Sequence, residues 1–143
     1  MNELTQNTTR VAVIGATGYA GAELAEILKR HKNAVITGLF GSDFTFESLL
    51  ESAPDVVFLA TPNEASAEIA PKLVDAGLRV IDLSGAFRLG DQDLYPKWYG
   101  FKHARPELLE EAVYGLTEWC NGELKKARLV ANPGCYPTSV LLA

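Results

Sequence analysis

The stretch VAVIGATGYAGAELAEILKR does most to limit what this chain can become. A β-branched run over residues 10–16 ends in glycine. It gives way at once to a segment, 22–30, in which Leu24, Ile27 and Leu28 recur at i, i+3 and i+4, one face of a helix. Gly15, Gly18 and Gly21 fill the join. Glycine there permits a tight turn, lets backbone approach a pyrophosphate, and lets the helix pack closely on the strand. The helix start then offers unpaired N–H groups and the positive end of its dipole to an anion. The spacing is GxxGxxG, not GxGxxG; with a strand before it and a helix after it, the pattern is compatible with dinucleotide binding. The alternative is a plain tight β–α turn that holds no ligand.

The same alternation continues. Strands are predicted over 34–40, 55–61, 79–84 and 128–134, and helices over 45–52, 64–77 and 105–112. The run 55–61 is apolar throughout, as in a central strand buried on both faces. Pro71 interrupts the third helix, and Gly77 ends it. Residues 85–100, rich in aromatic and charged side chains without a period, read as an ordered loop. Strands alternating with helices predict an α/β, Rossmann-like, doubly wound and mostly parallel sheet. At 143 residues the chain holds one domain. In such sheets ligands sit at the carboxyl ends of the strands, so the residues that follow strands matter most.

Composition narrows the function classes. Apolar residues make up 48%, enough for a core, and the net charge is −5 with no basic cluster beyond a lysine pair, which argues against a nucleic-acid surface. No apolar run approaches the ~18–20 residues of a membrane span, and the polar N-terminus lacks a signal region. The glycosylation sequon at Asn7 reads as chance. Two cysteines make no disulfide scaffold and no zinc-ligand spacing, so no metal is expected. A reducing, cytoplasmic setting fits best.

Cys135 follows Asn-Pro-Gly after a strand and opens a helix-like segment. A thiol at a helix N-terminus is favoured as thiolate, the nucleophilic form. The alternative is a small buried hydrophobe; that is the reading for Cys120. A dinucleotide loop with a reactive cysteine points to aldehyde-level chemistry, in which hydride passes to or from a carbon held on sulfur. Such chemistry needs a base. His31 ends the first helix and reads as structural; His103 lies in a charged loop and reads as a surface residue. Neither is a convincing base, so the chain is expected to be incomplete. The end of the second strand reads GLFGSD: Asp43 would suit ribose hydroxyls, no arginine is present, and the residues leave NAD and NADP open.

Taken together, VAVIGATGYAGAEL, DVVFLATPNEASAEIAP, VIDLSGAFRL, YPKWYG, AVYGL and LVANPGCYPTS resemble the N-acetyl-gamma-glutamyl-phosphate reductase family over most of the chain. The resemblance implies an NADP-dependent enzyme of arginine biosynthesis that acts on a small acyl phosphate. It makes Cys135 the nucleophile. It assigns Gly15, Thr17, Gly18, Tyr19, Gly21 and Ser42 to the dinucleotide, and Thr61, Pro62 and Asn63 to its nicotinamide side. Ser84, Arg88 and Asn132 fall to the substrate pocket; the alternative for Ser84 and Arg88 is that they fix their loop by hydrogen bonds. It also implies that 1–143 is the NAD(P)-binding domain, and that a second, α+β domain with the substrate site, the dimer contacts and the catalytic histidine is absent. In that case the full-length protein is a homo-oligomer and this chain alone is inactive. One departure stands out: the family has a longer segment after the second strand, often with a Ser-Arg pair, where this chain passes from GSD to FTFESLL. An aminoadipyl relative, an aspartate-semialdehyde dehydrogenase and a non-catalytic dinucleotide sensor remain open.

Overall fold

A computed structural model describes residues 8–120 and 122–143; Asn7, the acceptor of the sequon, lies outside them. Six parallel strands form one sheet: β1 (Thr9–Ile14), β2 (Ala34–Phe40), β3 (Val56–Leu59), β4 (Arg79–Asp82), β5 (Val113–Tyr114) and β6 (Leu129–Ala131), in spatial order β2-β1-β3-β4-β6-β5. The order reverses beside β1: β2 lies on one side of it and β3 on the other. The crevice at that reversal, at the carboxyl ends, is where sheets of this type bind ligands.

Alternation along the strands sorts the core into two faces. Ala12, Ile14, Val57, Leu59, Val80, Leu129 and Ala131 point to one side. There they meet α2 (Phe46–Glu51), α3 (Asn63–Asp75) and α5 (Glu107–Glu111) through Leu49, Ala70, Leu73, Leu108 and Leu109. Val11, Val13, Val56 and Phe58 point to the other side and meet Leu24 and Leu28 of α1 (Tyr19–Lys29). Helices on both faces are the doubly wound arrangement expected. In detail α1 differs from its apolar pattern: it buries Gly21, Ala25 and Leu28, while Ile27 is half exposed. Glycine is needed at 21 because the helix start lies against the backbone of Gly15 and Ala16, the loop after β1. Likewise β3 is fully buried only at Val57 and Leu59; Val56 and Phe58 keep some exposure.

Helix α3 runs through Pro71 without breaking. It ends as glycine after a helix should: Gly77 has φ +82, its N–H donates to the Val74 carbonyl, and the Leu78 N–H reaches back to the Leu73 carbonyl. Residues 85–100 hold one helical turn, α4 (Leu94–Trp98), against the expectation of a loop. Tertiary burial makes it. Tyr95 is fully buried and stacks on Tyr99, and its hydroxyl donates to the Leu89 carbonyl and accepts from the Leu89 N–H. Burial pushes the Tyr95 phenol up to about 12. A last helix, α6 (Cys135–Leu141), follows β6.

His103 is not a surface residue. It is buried against Phe87 and Tyr95, and its Nε2 lies 3.0 Å from the Ala86 carbonyl while Nδ1 faces the Arg105 N–H at 3.4 Å. A neutral ring with its proton on Nε2 satisfies both contacts. Burial holds its pKa below the ordinary value. Its neighbours in the sequence are charged, but the rings of Phe87, Tyr95 and Phe101 packed around it set the burial. His31 lies just past α1, its Nδ1 accepting from the Asn33 N–H at 3.2 Å, which is a local structural role.

Candidate active site at the carboxyl edge

The glycine loop closes on the strand ends. Gly15 has φ +86, and its N–H and that of Ala16 both donate to the Phe40 carbonyl. A Cβ at Gly15 would sit 2.4 Å from the Ala60 carbonyl oxygen, and one at Gly21 would sit 2.1 Å from that of Gly15. The protein's own backbone therefore demands glycine at 15 and 21. Gly18 is different: a Cβ there meets only the Gly15 oxygen, at 3.4 Å, and its φ of −79 suits any residue. Space is left at Gly18 that no protein atom fills. No side chain caps α1 and no acid stands in its first turn, so its N–H groups and dipole are not neutralised from within. These features fit the diphosphate of a dinucleotide. Thr17 and Tyr19 flank Gly18, with the Tyr19 side chain fully exposed.

Neighbouring turns continue the edge. The turn after β2 packs on the loop, since a Cβ at Gly41 would touch the Thr17 methyl at 3.0 Å. Ser42 is exposed there, and the Asp43 carboxylate folds back to accept from the Gly41 N–H at 3.3 Å. After β3, Thr61 shares a 2.7 Å hydrogen bond with Ser66, and Pro62 precedes α3 as its cap residue. The Asn63 Oδ1 accepts from the Gly85 N–H at 2.7 Å, which ties this turn to the loop after β4.

That loop is organised by a residue the sequence reading passed over. Asp82, at the end of β4, is fully buried. Its carboxylate accepts from the Ser84 hydroxyl at 2.7 Å and the Ser84 N–H at 3.0 Å, and the same hydroxyl accepts from the Ala86 N–H at 3.1 Å. Burial raises the Asp82 pKa, and the hydrogen bonds from Ser84 oppose that rise. Ser66, also fully buried, joins the network from α3. The available signal was an acid at a core-facing strand position followed two residues later by serine.

Arg88 spans the next gap. Its Nε donates to the Asn132 carbonyl at 2.8 Å and one Nη to the Leu83 carbonyl at 2.7 Å. Beyond Asn132 the chain turns through Pro133 and Gly134 into Cys135, the first residue of α6. Cys135 is exposed. Cys120 is buried, its Sγ 2.9 Å from the Leu116 carbonyl and 3.1 Å from that of Tyr114, and burial pushes its thiol pKa up; the structural reading of Cys120 holds. The sites named from sequence thus lie on one edge, joined in order from Gly15 through Thr61, Asn63, Gly85 and Arg88 to Asn132. Ser42 and Tyr19 flank the glycine end. Ser84 and Arg88 make the loop-fixing hydrogen bonds that were the alternative reading, though to Asp82 and to backbone carbonyls and not to each other.

A strand–glycine loop–helix at the sheet reversal, with a lone exposed thiol further along the same edge, defines a nucleotide-binding domain of the aldehyde-level dehydrogenase type. The family model described as "Semialdehyde dehydrogenase, NAD binding domain" matches residues 10–48 and 41–127, and the chain belongs to that family. Within it, the resemblance read from the sequence is borne out: the curated relatives carry the name N-acetyl-gamma-glutamyl-phosphate reductase. The protein of that name from Escherichia coli O157:H7 is 45% identical over 157 aligned positions, covering 92% of this chain and 47% of the relative. That from Dehalococcoides mccartyi strain BAV1 is 45% identical over 150 positions, covering 93% and 44%. The chain spans about half the length of the curated relatives it matches. Among solved structures, aspartate semialdehyde dehydrogenase II of Vibrio cholerae superposes with a TM-score of 0.62 at 19% identity, over 94% of this chain and 44% of that one, which shows the shared fold. The 157 aligned positions exceed the 143 residues of the chain, so the alignment opens gaps in it. The two segments of the family match overlap at 41–48, the turn after β2 and the start of α2. Among the described residues, no helix is long and apolar enough to cross a membrane.

Proposed function

We propose that this chain is the NAD(P)-binding domain, residues 1–143, of an enzyme that reduces N-acetyl-gamma-glutamyl phosphate to N-acetylglutamate semialdehyde, with NADPH as reductant. The observation that carries the reading is the continuous edge itself: a dinucleotide cradle at one end and the exposed thiol of Cys135 toward the other, joined by hydrogen-bonded turns.

In this reading the Cys135 Sγ, as thiolate, attacks the acyl carbon of the substrate. The carbon–oxygen bond to phosphate breaks, and inorganic phosphate leaves with the electron pair. A thioester remains on Sγ. A bound nicotinamide would supply a hydride, one proton with two electrons, at the thioester carbon. The resulting tetrahedral oxyanion collapses, the carbon–sulfur bond breaks, and its electron pair returns to Sγ as the semialdehyde departs. Gly15, Thr17, Gly18, Tyr19 and Gly21 hold the diphosphate. Thr61, Pro62 and Asn63 would border the nicotinamide and Ser84 and Asn132 the acyl group, while the Arg88 guanidinium is taken up by the Leu83 and Asn132 carbonyls. NADP, over NAD, rests on the resemblance and on Ser42, which is exposed in the turn after β2 and free to meet a phosphate, while Asp43 is turned into its own loop. The relatives' greater length supports a second domain, outside this chain, that brings the substrate site, the histidine and the subunit contacts. The two unpaired thiols suit a reducing cytoplasm.

The test uses the full-length enzyme, wild type and Cys135→Ser, with N-acetylglutamate semialdehyde and NADP, following nicotinamide absorbance. Reduction that requires phosphate and is lost in the variant is the expected result. Aspartate semialdehyde and the aminoadipate homologue run in parallel; a preference for either overturns the substrate assignment. Turnover that survives Cys135→Ser overturns the mechanism.

A further inference from the structure

We infer that Arg88 is a positioning residue for Cys135, acting through the backbone of the Asn132–Gly134 turn, and not the substrate-binding residue that the sequence suggests. The inference rests on the reading of Cys135 as the nucleophile.

The argument starts where the sheet stops. β4 ends at Asp82 and β6 at Ala131, and one more rung carries the ladder onward: the Leu83 N–H donates to the Leu59 carbonyl, and the Asn132 N–H to the Asp82 carbonyl. Beyond that rung, among the described residues, no strand N–H donates to the carbonyls of Leu83 and Asn132. Partly buried backbone carbonyls need donors. Arg88 gives one to each, 2.7 Å to Leu83 and 2.8 Å to Asn132. The guanidinium is a rigid planar fork, so holding both carbonyls fixes their separation. It also fixes where the chain enters the Pro133–Gly134 turn.

The other side of the cysteine is held independently. The Gly134 carbonyl accepts from the Thr138 N–H at 3.0 Å and from the Thr138 hydroxyl at 2.9 Å. Cys135 therefore sits on a backbone clamped before it by Arg88 and after it by the first turn of α6. Contact with the turn is close: a Cβ at Gly134 would lie 3.0 Å from the Arg88 Nη1 and 3.3 Å from Pro137. The guanidinium occupies the space a side chain at 134 would need. Arg88 is in turn held by its own loop, which the buried Asp82–Ser84–Ala86 hydrogen bonds fold. Placing a reacting atom to within an ångström is worth factors of about a hundred in rate, which is what this clamp supplies.

The experiment is steady-state kinetics on the full-length enzyme with Arg88→Lys, Arg88→Ala and Gly134→Ala. A lysine reaches one carbonyl but cannot fork to both, so the positive charge alone does not restore the clamp. Arg88→Lys and Arg88→Ala are expected to lower kcat at least tenfold while KM for the acyl phosphate stays within about threefold. Methylguanidinium in the buffer is expected to return part of the lost kcat to Arg88→Ala. Gly134→Ala, which disturbs the same contact from the opposite side and leaves Arg88 in place, is expected to lower kcat with KM again unchanged. A rise in KM with kcat intact overturns the inference in favour of substrate binding, and so does full activity in Arg88→Lys. Cys135→Ser is the separate control: if it keeps its turnover, the proposed reaction fails, whatever Arg88 does.

Discussion

Two alanine substitutions in the glycine loop separate what the fold requires from what a ligand requires. At Gly21 the added Cβ would lie 2.1 Å from the Gly15 carbonyl oxygen and 2.8 Å from its carbon. Ordinary contact begins near 3.4 Å, so α1 would have to withdraw from β1 by more than an ångström. Forcing a methyl into packed backbone costs about 1–3 kcal/mol, and alanine's helix preference over glycine returns about 1 kcal/mol. A net loss of up to about 2 kcal/mol is expected, a fall of up to ~1 M in the urea midpoint at a slope of about 2 kcal/mol/M. At Gly18 the added Cβ is in ordinary contact at 3.4 Å and φ is −79. Alanine there loses about 0.5–1 kcal/mol as a helix cap and regains about 0.4–1 kcal/mol by restricting the unfolded chain. Stability should stay within about 0.5 kcal/mol of wild type. The same methyl stands in the unfilled space beside the α1 N-terminus, so the dissociation constant for NADPH should rise at least tenfold, about 1.4 kcal/mol. Urea denaturation followed by tryptophan fluorescence gives the first quantity, and titration calorimetry with NADPH the second. Wild-type affinity in a normally stable Gly18→Ala would refute the reasoning and return the loop to a plain β–α turn.

Two further outcomes follow from burial. In the folded chain iodoacetamide should label Cys135, which is exposed, and reach Cys120 only after denaturant is added, as peptide mass spectrometry would show; labelling of both at equal rates would contradict the burial of Cys120. His103 should make stability depend on pH in a set direction. Burial holds its folded-state pKa below the ordinary 6.5, so the native state binds fewer protons than the unfolded one. Its contribution is fully present above pH 6.5 and is lost as pH falls through the folded-state value. Urea midpoints taken from pH 8 to pH 5 should fall for wild type and flatten in His103→Gln, and an unchanged slope in the variant would assign the dependence to another group.

Much of this was legible in the sequence because it is written in local chemistry. The β-branched run along VAVI, the glycines that follow it and the helical spacing after them determine a β–α unit wherever it is placed, since turn geometry and amphipathic burial act over a few residues. The same holds for the strands after residues 34, 55 and 79, and for the cysteine set between a proline–glycine turn and a helix start. What the tertiary structure decided lies between segments distant in sequence. The α1 face packs on Gly21, Ala25 and Leu28 and leaves Ile27 half exposed, because the backbone of Gly15 and Ala16 lies against the helix start and admits no side chain at 21. Tyr95 makes a helical turn where the sequence has no period, because its hydroxyl and ring are used up by Leu89, Tyr99 and Phe101. His103 is drawn into that same cluster from a charged stretch. Arg88 and Asn132 are 44 residues apart. Only the parallel pairing of β4 with β6 brings their loops together, so no local pattern could show that an arginine after one strand holds the turn that presents a cysteine after another.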